Sequence, residues 1–200
     1  MGSHIVSQLT TGTRLTNWDV AVLDLHEPSE KERVADVKYF VGDVRDEDRI
    51  VEVFEEVCTV RSSESRSEIR VLLAPATLTK SRLVSCQVHP TVIIHTASPV
   101  HGLAQSKTRI YYEVNEMGTK NVVSACLKTG AKKLVYTSSV GVVWTGDRPL
   151  EGVCEDAVQP PKQGYDAYHH TKALGEAVVL EAGKRAELEV VVLRPCGMTG

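Results

Sequence analysis

Short runs of apolar, mostly β-branched residues alternate with amphipathic stretches along most of this 200-residue chain. That alternation restricts the fold more than any other feature. Val20-Ala-Val-Leu-Asp24, Val37-Lys-Tyr-Phe-Val41, Thr91-Val-Ile-Ile-His95, Lys133-Leu-Val-Tyr-Thr-Ser138 and Glu189-Val-Val-Val-Leu-Arg194 read as strands. Continuous apolar runs of this kind suit strands buried on both faces. Helices are expected between them. Ser3 to Leu9 carries Ile5, Val6 and Leu9 on one face, and Asp46 caps a helix running through Ile50, Val53, Phe54 and Val57. Residues 105–128 form a long helix closed by Gly130, and Tyr165 to Lys184 another, ended near Gly183. Strands alternating with helices mean parallel βαβ units, and right-handed crossovers then give an α/β fold with a doubly wound parallel sheet.

Two features depart from a complete sheet of this kind. The chain opens directly into a helix with no apolar strand before it, whereas doubly wound sheets begin strand, glycine turn, helix. A missing central strand leaves two interior edges unpaired, at about 1–3 kcal/mol for each buried group. Residues 58–89 also break the rhythm, with six serines and a basic excess where two to six connecting residues usually suffice. Ile69-Arg-Val-Leu-Leu-Ala74 has strand character, but the surrounding composition favours a surface insertion of low order. The expectation is a single incomplete domain over 1–200, its first strand missing, with that insertion at about 58–89.

Composition removes several function classes. A net charge of −3 and a pI near 6.2 do not supply the clustered cations of a nucleic-acid-binding surface. No apolar run approaches a membrane span, and the opening residues lack the basic and apolar regions of a secretory leader. Five scattered cysteines, none in Cys-x-x-Cys, imply neither a disulfide framework nor a zinc site, and fit a reducing compartment.

Chemistry concentrates where strands end. Tyr168-His-His-Thr-Lys172 places a phenol and an ammonium on one helical face about a turn apart. A nearby ammonium favours phenolate, which makes Tyr168 a usable proton acceptor near neutral pH. Leu134-Val-Tyr-Thr-Ser-Ser139 ends in hydroxyls at a strand carboxyl end, where parallel α/β sheets bind ligands. Asp24, at another strand end, can accept hydrogen bonds from an adenosine ribose and repel a 2′-phosphate. His169 and His170 read as helix-surface residues, and Trp144 as core.

Together with Gly2-Ser-His-Ile-Val-Ser-Gln-Leu9, Val22-Leu-Asp-Leu25, Val41-Gly-Asp-Val44, Ile94-His-Thr-Ala-Ser-Pro99, Val114-Asn-Glu-Met-Gly-Thr-Lys-Asn-Val122 and Leu193-Arg-Pro195, these strings resemble the extended short-chain dehydrogenase/reductase superfamily. Within it they are most similar to the 3β-hydroxysteroid dehydrogenase/isomerase family, in particular its fungal sterol-4α-carboxylate 3-dehydrogenase branch. The resemblance covers nearly everything except residues 58–89. It implies a Rossmann-like fold and NAD-dependent oxidation of a sterol 3β-hydroxyl, after which a 4α-carboxylated product loses carbon dioxide.

The resemblance also assigns roles. Tyr168 becomes the acid/base, Lys172 its electrostatic partner and ribose ligand, and Ser139 the group that hydrogen-bonds the reacting oxygen. Asp24 holds the adenosine ribose and selects NAD; Asp43 and Val44 flank adenine; Thr96, Ala97 and Ser98 line the cofactor cleft. Asn115 corresponds to the family's helix-distorting asparagine, and Pro195 to Gly197 border the nicotinamide. No metal is implied. A homodimer through the two long helices is, as is a cytoplasmic or peripheral endoplasmic-reticulum location. The family pattern opens with a strand and Gly-x-x-Gly-x-x-Gly, of which only the last glycine, Gly2, is present, and continues past Gly200, so the chain reads as truncated at both ends. Nucleotide-sugar epimerases and NADP-dependent carbonyl reductases share Ser139, Tyr168 and Lys172, and an inactive fragment is the alternative from another class.

Overall fold

The structure is a computed structural model that describes residues 2–11, 18–59, 68–73, 92–102, 108–147 and 149–196. Strands β1 (Trp18–Asp24), β2 (Val37–Val41), β3 (Glu68–Leu73), β4 (Val92–His95), β5 (Lys133–Thr137) and β6 (Glu189–Leu193) form one sheet. Its order is β2-β1-β3-β4-β5-β6, and every neighbouring pair is parallel. The period of two along each strand divides the sheet into two faces. Ala21, Leu23, Ile93, Leu134 and Tyr136 point to the main core. There they meet apolar stripes of α2 (Glu47–Thr59), α4 (Thr119–Thr129) and α5 (Ala167–Ala182). Val22 and Ile94 point the other way, toward Val6 of α1 (Gly2–Thr11).

The helix signals hold. Asp46 Oδ1 accepts the Arg49 N–H at 3.1 Å at the start of α2, and Gly130 closes α4 in the left-handed conformation at φ 71°. The long helix expected over 105–128 is not uniform: after a short turn α3 (Arg109–Tyr111), residues Tyr112–Gly118 are π-helical before α4 begins. Asn115 sits inside this wider stretch, fully buried, and its Nδ2 donates to Thr171 Oγ1 at 3.1 Å. Gly175 lets α5 approach it. A Cβ there would lie 2.4 Å from the Asn115 carbonyl oxygen.

The reading of residues 58–89 as a surface insertion needs correction over 68–73. That piece is β3, and it lies in the middle of the sheet, paired with β1 from Trp18↔Glu68 to Leu23↔Leu73 and with β4 from Arg70↔Val92 to Leu73↔His95. The sheet has no strand preceding α1 among the described residues, yet its centre is not broken. In that place β3 pairs the backbone groups of both β1 and β4, which would otherwise be buried without partners. The rest of 58–89, beyond α2, lies outside the described residues.

Candidate active site

The carboxyl ends of β4 and β5 and the first turns of α5 converge. β5 runs into Ser139, which caps a 3-10 turn (Val140–Val143) by accepting the Gly141 N–H at 3.2 Å. That bond leaves the Ser139 hydroxyl proton available to an incoming oxygen. Tyr168 stands on the first turn of α5, whose N-cap is Asp166. Tyr168 and Ser139 open onto the same cavity, about 570 Å³, with Val140, Trp144, Leu150 and Pro195 as its apolar walls. A volume of this size suits a small organic ligand.

Lys172 corrects one expectation. The helical spacing puts it on the face of Tyr168, but its ammonium is buried and donates to the Thr137 carbonyl at 2.5 Å, lying 4.7 Å from the Tyr136 ring centre. It is absent from the groups that shift Tyr168. Burial pushes the phenol above its ordinary range, a hydrogen bond with Ser98 pulls it back, and Tyr111 and Asp166 raise it further. The expected lowering by the ammonium does not occur in the chain alone. A shared helix face sets the direction of a side chain, and a four-carbon stem then reaches the nearest unpaired carbonyl at the strand end. Burial brings Lys172 down to about 8, with Glu176 opposing. Glu176 is itself buried, accepting Ser138 Oγ at 2.6 Å and Arg194 Nη2 at 2.5 Å, which ties β5, α5 and the end of β6 together.

The remaining candidate residues are placed as follows. Asp24 ends β1 partly exposed, with Oδ1 accepting the His26 N–H at 3.2 Å. Asp43 is buried, and its carboxylate is taken by Arg45, Nη2 at 2.6 Å and Nε at 2.8 Å. Val44 is fully buried in the core; its carbonyl accepts Asn121 Nδ2 at 3.0 Å, so its side chain does not line a cleft. Ala97 is core, while Thr96 and Ser98 are partly exposed beyond β4. Pro195 borders the cavity and Gly2 begins α1; Gly197 lies outside the described residues.

Two cavity residues, His169 and Trp144, differ from their sequence reading, and a third, His101, carries no sequence reading at all. His169 is buried, not a surface residue; its Nδ1 lies 2.8 Å from Asp166 Oδ1, and its ring packs against Gly141. Trp144 walls the cavity and packs on Tyr165 at 4.6 Å between ring centres. His101 lies 4.9 Å from the Tyr168 ring, held through Nε2 by Asp166 Oδ2 at 2.9 Å. An aspartate just ahead of a helix is a legible cap signal, but nothing local marks a partner 65 positions away.

Under the site, His95 is fully buried with Nε2 3.0 Å from Thr119 Oγ1. Thr119 gives its own proton to the Asn115 carbonyl, so Nε2 is the donor. Burial, helped by Lys172, lowers His95 to about 3. Between that value and the ordinary 6.5 the unfolded chain binds the extra proton, so stability falls as pH drops through this window. Chemical denaturation from pH 7 to 4 is expected to show a loss on the order of a few kcal/mol, markedly reduced in His95→Gln. Parallel slopes for the two proteins would show that His95 is not buried neutral.

The model of the 3-beta hydroxysteroid dehydrogenase/isomerase family matches residues 59–200. The sterol-4-alpha-carboxylate 3-dehydrogenase, decarboxylating, of Schizosaccharomyces pombe is 36% identical over 204 aligned positions, covering 100% of this chain and 48% of that protein. The Candida albicans protein of the same description is 44% identical over 110 positions, covering 54% of this chain and 30% of its own length. The chain therefore spans about half the length of the first relative and less of the second. Among solved structures, a UDP-glucose 4-epimerase from Thermus thermophilus, crystallised with NAD, superimposes with a TM-score of 0.68 at 25% identity, over 96% of this chain and 50% of its own.

Proposed function

Because the chain belongs to the 3-beta hydroxysteroid dehydrogenase/isomerase family, we propose that it carries the catalytic half of an NAD-dependent oxidoreductase that oxidises the 3β-hydroxyl of a sterol to a ketone. The observation that carries this reading is the meeting of Tyr168 and Ser139 in one apolar-walled cavity at the carboxyl ends of the central strands, where parallel α/β sheets bind their ligands.

Ser139 donates its free hydroxyl proton to the sterol oxygen and holds it beside the phenol. Tyr168, in its phenolate form, accepts the hydroxyl proton and becomes the phenol as the carbon gives up hydride. NAD, when bound, supplies the hydride acceptor. Lys172 keeps a cation under the site through neutral pH. The aromatic and aliphatic walls exclude water and match an apolar ring system.

The donor set at the sheet edge fits the adenosine end of a dinucleotide. Asp24 has a carboxylate oxygen beyond the one its own turn uses, suited to a ribose diol and hostile to a 2′-phosphate. Asp43, clamped by Arg45, shapes the adenine end through its backbone rather than its carboxylate. Thr96 and Ser98 flank the cleft, and Pro195 borders its nicotinamide end.

Millimolar NAD is expected to raise the melting temperature of the chain, by about 2.7 kcal/mol of added stability at a hundredfold excess over Kd. Asp24→Ala should lose most of the shift. A flat response in the unaltered chain would count against cofactor binding.

We also assign a homodimer to the outer faces of the π-helical segment, α4 and α5, where Met117 and Leu180 are exposed. Among the described residues no helix is long and apolar enough to cross a membrane, and the sterol substrate favours a peripheral position at the endoplasmic reticulum.

A further inference from the structure

We propose that His101 recognises an anionic substituent one carbon from the hydroxyl being oxidised, namely the 4-carboxylate of a sterol acid. This inference deepens the sterol reading above and rests on it.

The cavity around Tyr168 and Ser139 has apolar walls, Val140, Trp144, Leu150 and Pro195. A carboxylate entering it leaves water and needs a charged donor in return. The cations nearby are committed elsewhere: Lys172 donates to Thr137 O and Arg194 is paired with Glu176. Of the described residues lining the cavity, His101 and His169 alone can carry positive charge. His169 is packed in, its side chain 11% exposed, with its Nδ1 on Asp166. His101 is 56% exposed at the cavity mouth, its ring 4.9 Å from that of Tyr168.

The clamp on His101 gives it a direction. Asp166 is fixed as the N-cap of α5, with Oδ1 accepting the His169 N–H at 2.8 Å and Oδ2 facing His101 Nε2 at 2.9 Å. Burial raises Asp166, but the His169 and His101 bonds outweigh it and hold the carboxyl below its ordinary range. Asp166 Oδ2 thus takes the Nε2 side of the ring, and an imidazole that donates from both nitrogens has Nδ1–H left for a substrate carboxylate. Three donors already share the Asp166 charge, which weakens its repulsion of a second carboxylate. Ligand atoms of His101, Asp166 and His169 lie within 4.8 Å of one another. The nitrogens nearest Asp166 are spent on its oxygens, however, so the group acts as a hydrogen-bonded clamp rather than a metal site.

The test compares a 3β-hydroxysterol 4α-carboxylic acid with its methyl ester, each binding to the 200-residue chain without NAD, with parallel samples given NAD. Quenching of Trp144 fluorescence reads affinity without turnover, and NADH formation is followed in parallel. The unaltered chain is expected to prefer the acid by about tenfold or more, the scale of one charge-assisted hydrogen bond. His101→Gln should bring the preference within about twofold, and His101→Lys should retain most of it. Equal affinities in the unaltered chain, or a preference that survives His101→Gln, overturn the role of His101. If equal affinities come with NADH formation, the sterol reading stands and His101 alone is refuted. If neither sterol binds, the sterol reading fails and His101 falls with it.

Discussion

Val71→Pro is expected to abolish the cooperative thermal transition of the chain or lower its midpoint by well over ten degrees. Val71 lies at the middle of β3, opposite Ala21 of β1 and Ile93 of β4. In an interior parallel strand every backbone N–H serves one neighbour or the other. Proline removes one such donor and places its ring against the adjacent strand, at about 3 kcal/mol or more. A domain of this size has only about 5–15 kcal/mol of total stability. The position magnifies the loss, because β3 is the strip that joins β2-β1 to β4-β5-β6. With the strip gone, the main core parts along the seam between Leu23 and Ile93.

Val71→Thr serves as the companion variant, since a β-branched residue keeps the N–H and the extended backbone. Circular dichroism should show it melting within a few degrees of the unaltered chain. Hydrogen exchange offers an independent reading: amides of 69–72 should be protected like those of β1. If Val71→Pro melts normally and those amides exchange freely, residues 68–73 do not complete the sheet.

β3 also shows where sequence reasoning stops. The five other strands are visible in their own residues as local runs of apolar side chains, although β6, at the end of the sheet, leaves Val191 and Leu193 exposed. The Asp46 cap and the Gly130 terminator are equally local. β3 takes its place by pairing with β1 and β4, long-range contacts that lie outside the segment, while its own surroundings read as loop.

The site divides along the same line. Ser139 and Tyr168 meet because a strand end and a helix start are each legible, and the fold brings them together. The relation of Lys172 to Tyr168 is not legible in the sequence, because spacing along a helix fixes a face but not a contact. The capture of Asp43 by Arg45 and of His101 by Asp166 depends on side-chain reach across loops, where periodicity carries no signal. The π-helical stretch around Asn115 is a matter of tertiary packing, with Gly175 and Thr171 pressed against it.

Tyr168→Phe should separate chemistry from folding more sharply than any other change. The phenol is half-buried, and the bond to Ser98 is what its hydroxyl contributes, so loss of the oxygen leaves the ring packing against His101, Tyr111 and His169 intact. The melting temperature should move by no more than a few degrees. Sterol oxidation should fall by about 10²–10⁴ in kcat/KM, the usual worth of a positioned acid/base. The pH profile adds a reading that a packing defect would not reproduce. Burial holds the phenol above its ordinary range, so the proton-accepting form is scarce at neutral pH and the rate should climb as pH rises. Tyr168→Phe should flatten that rise along with the rate. A variant that kept a third or more of the activity, or the same pH dependence, would move the proton-accepting role to another group.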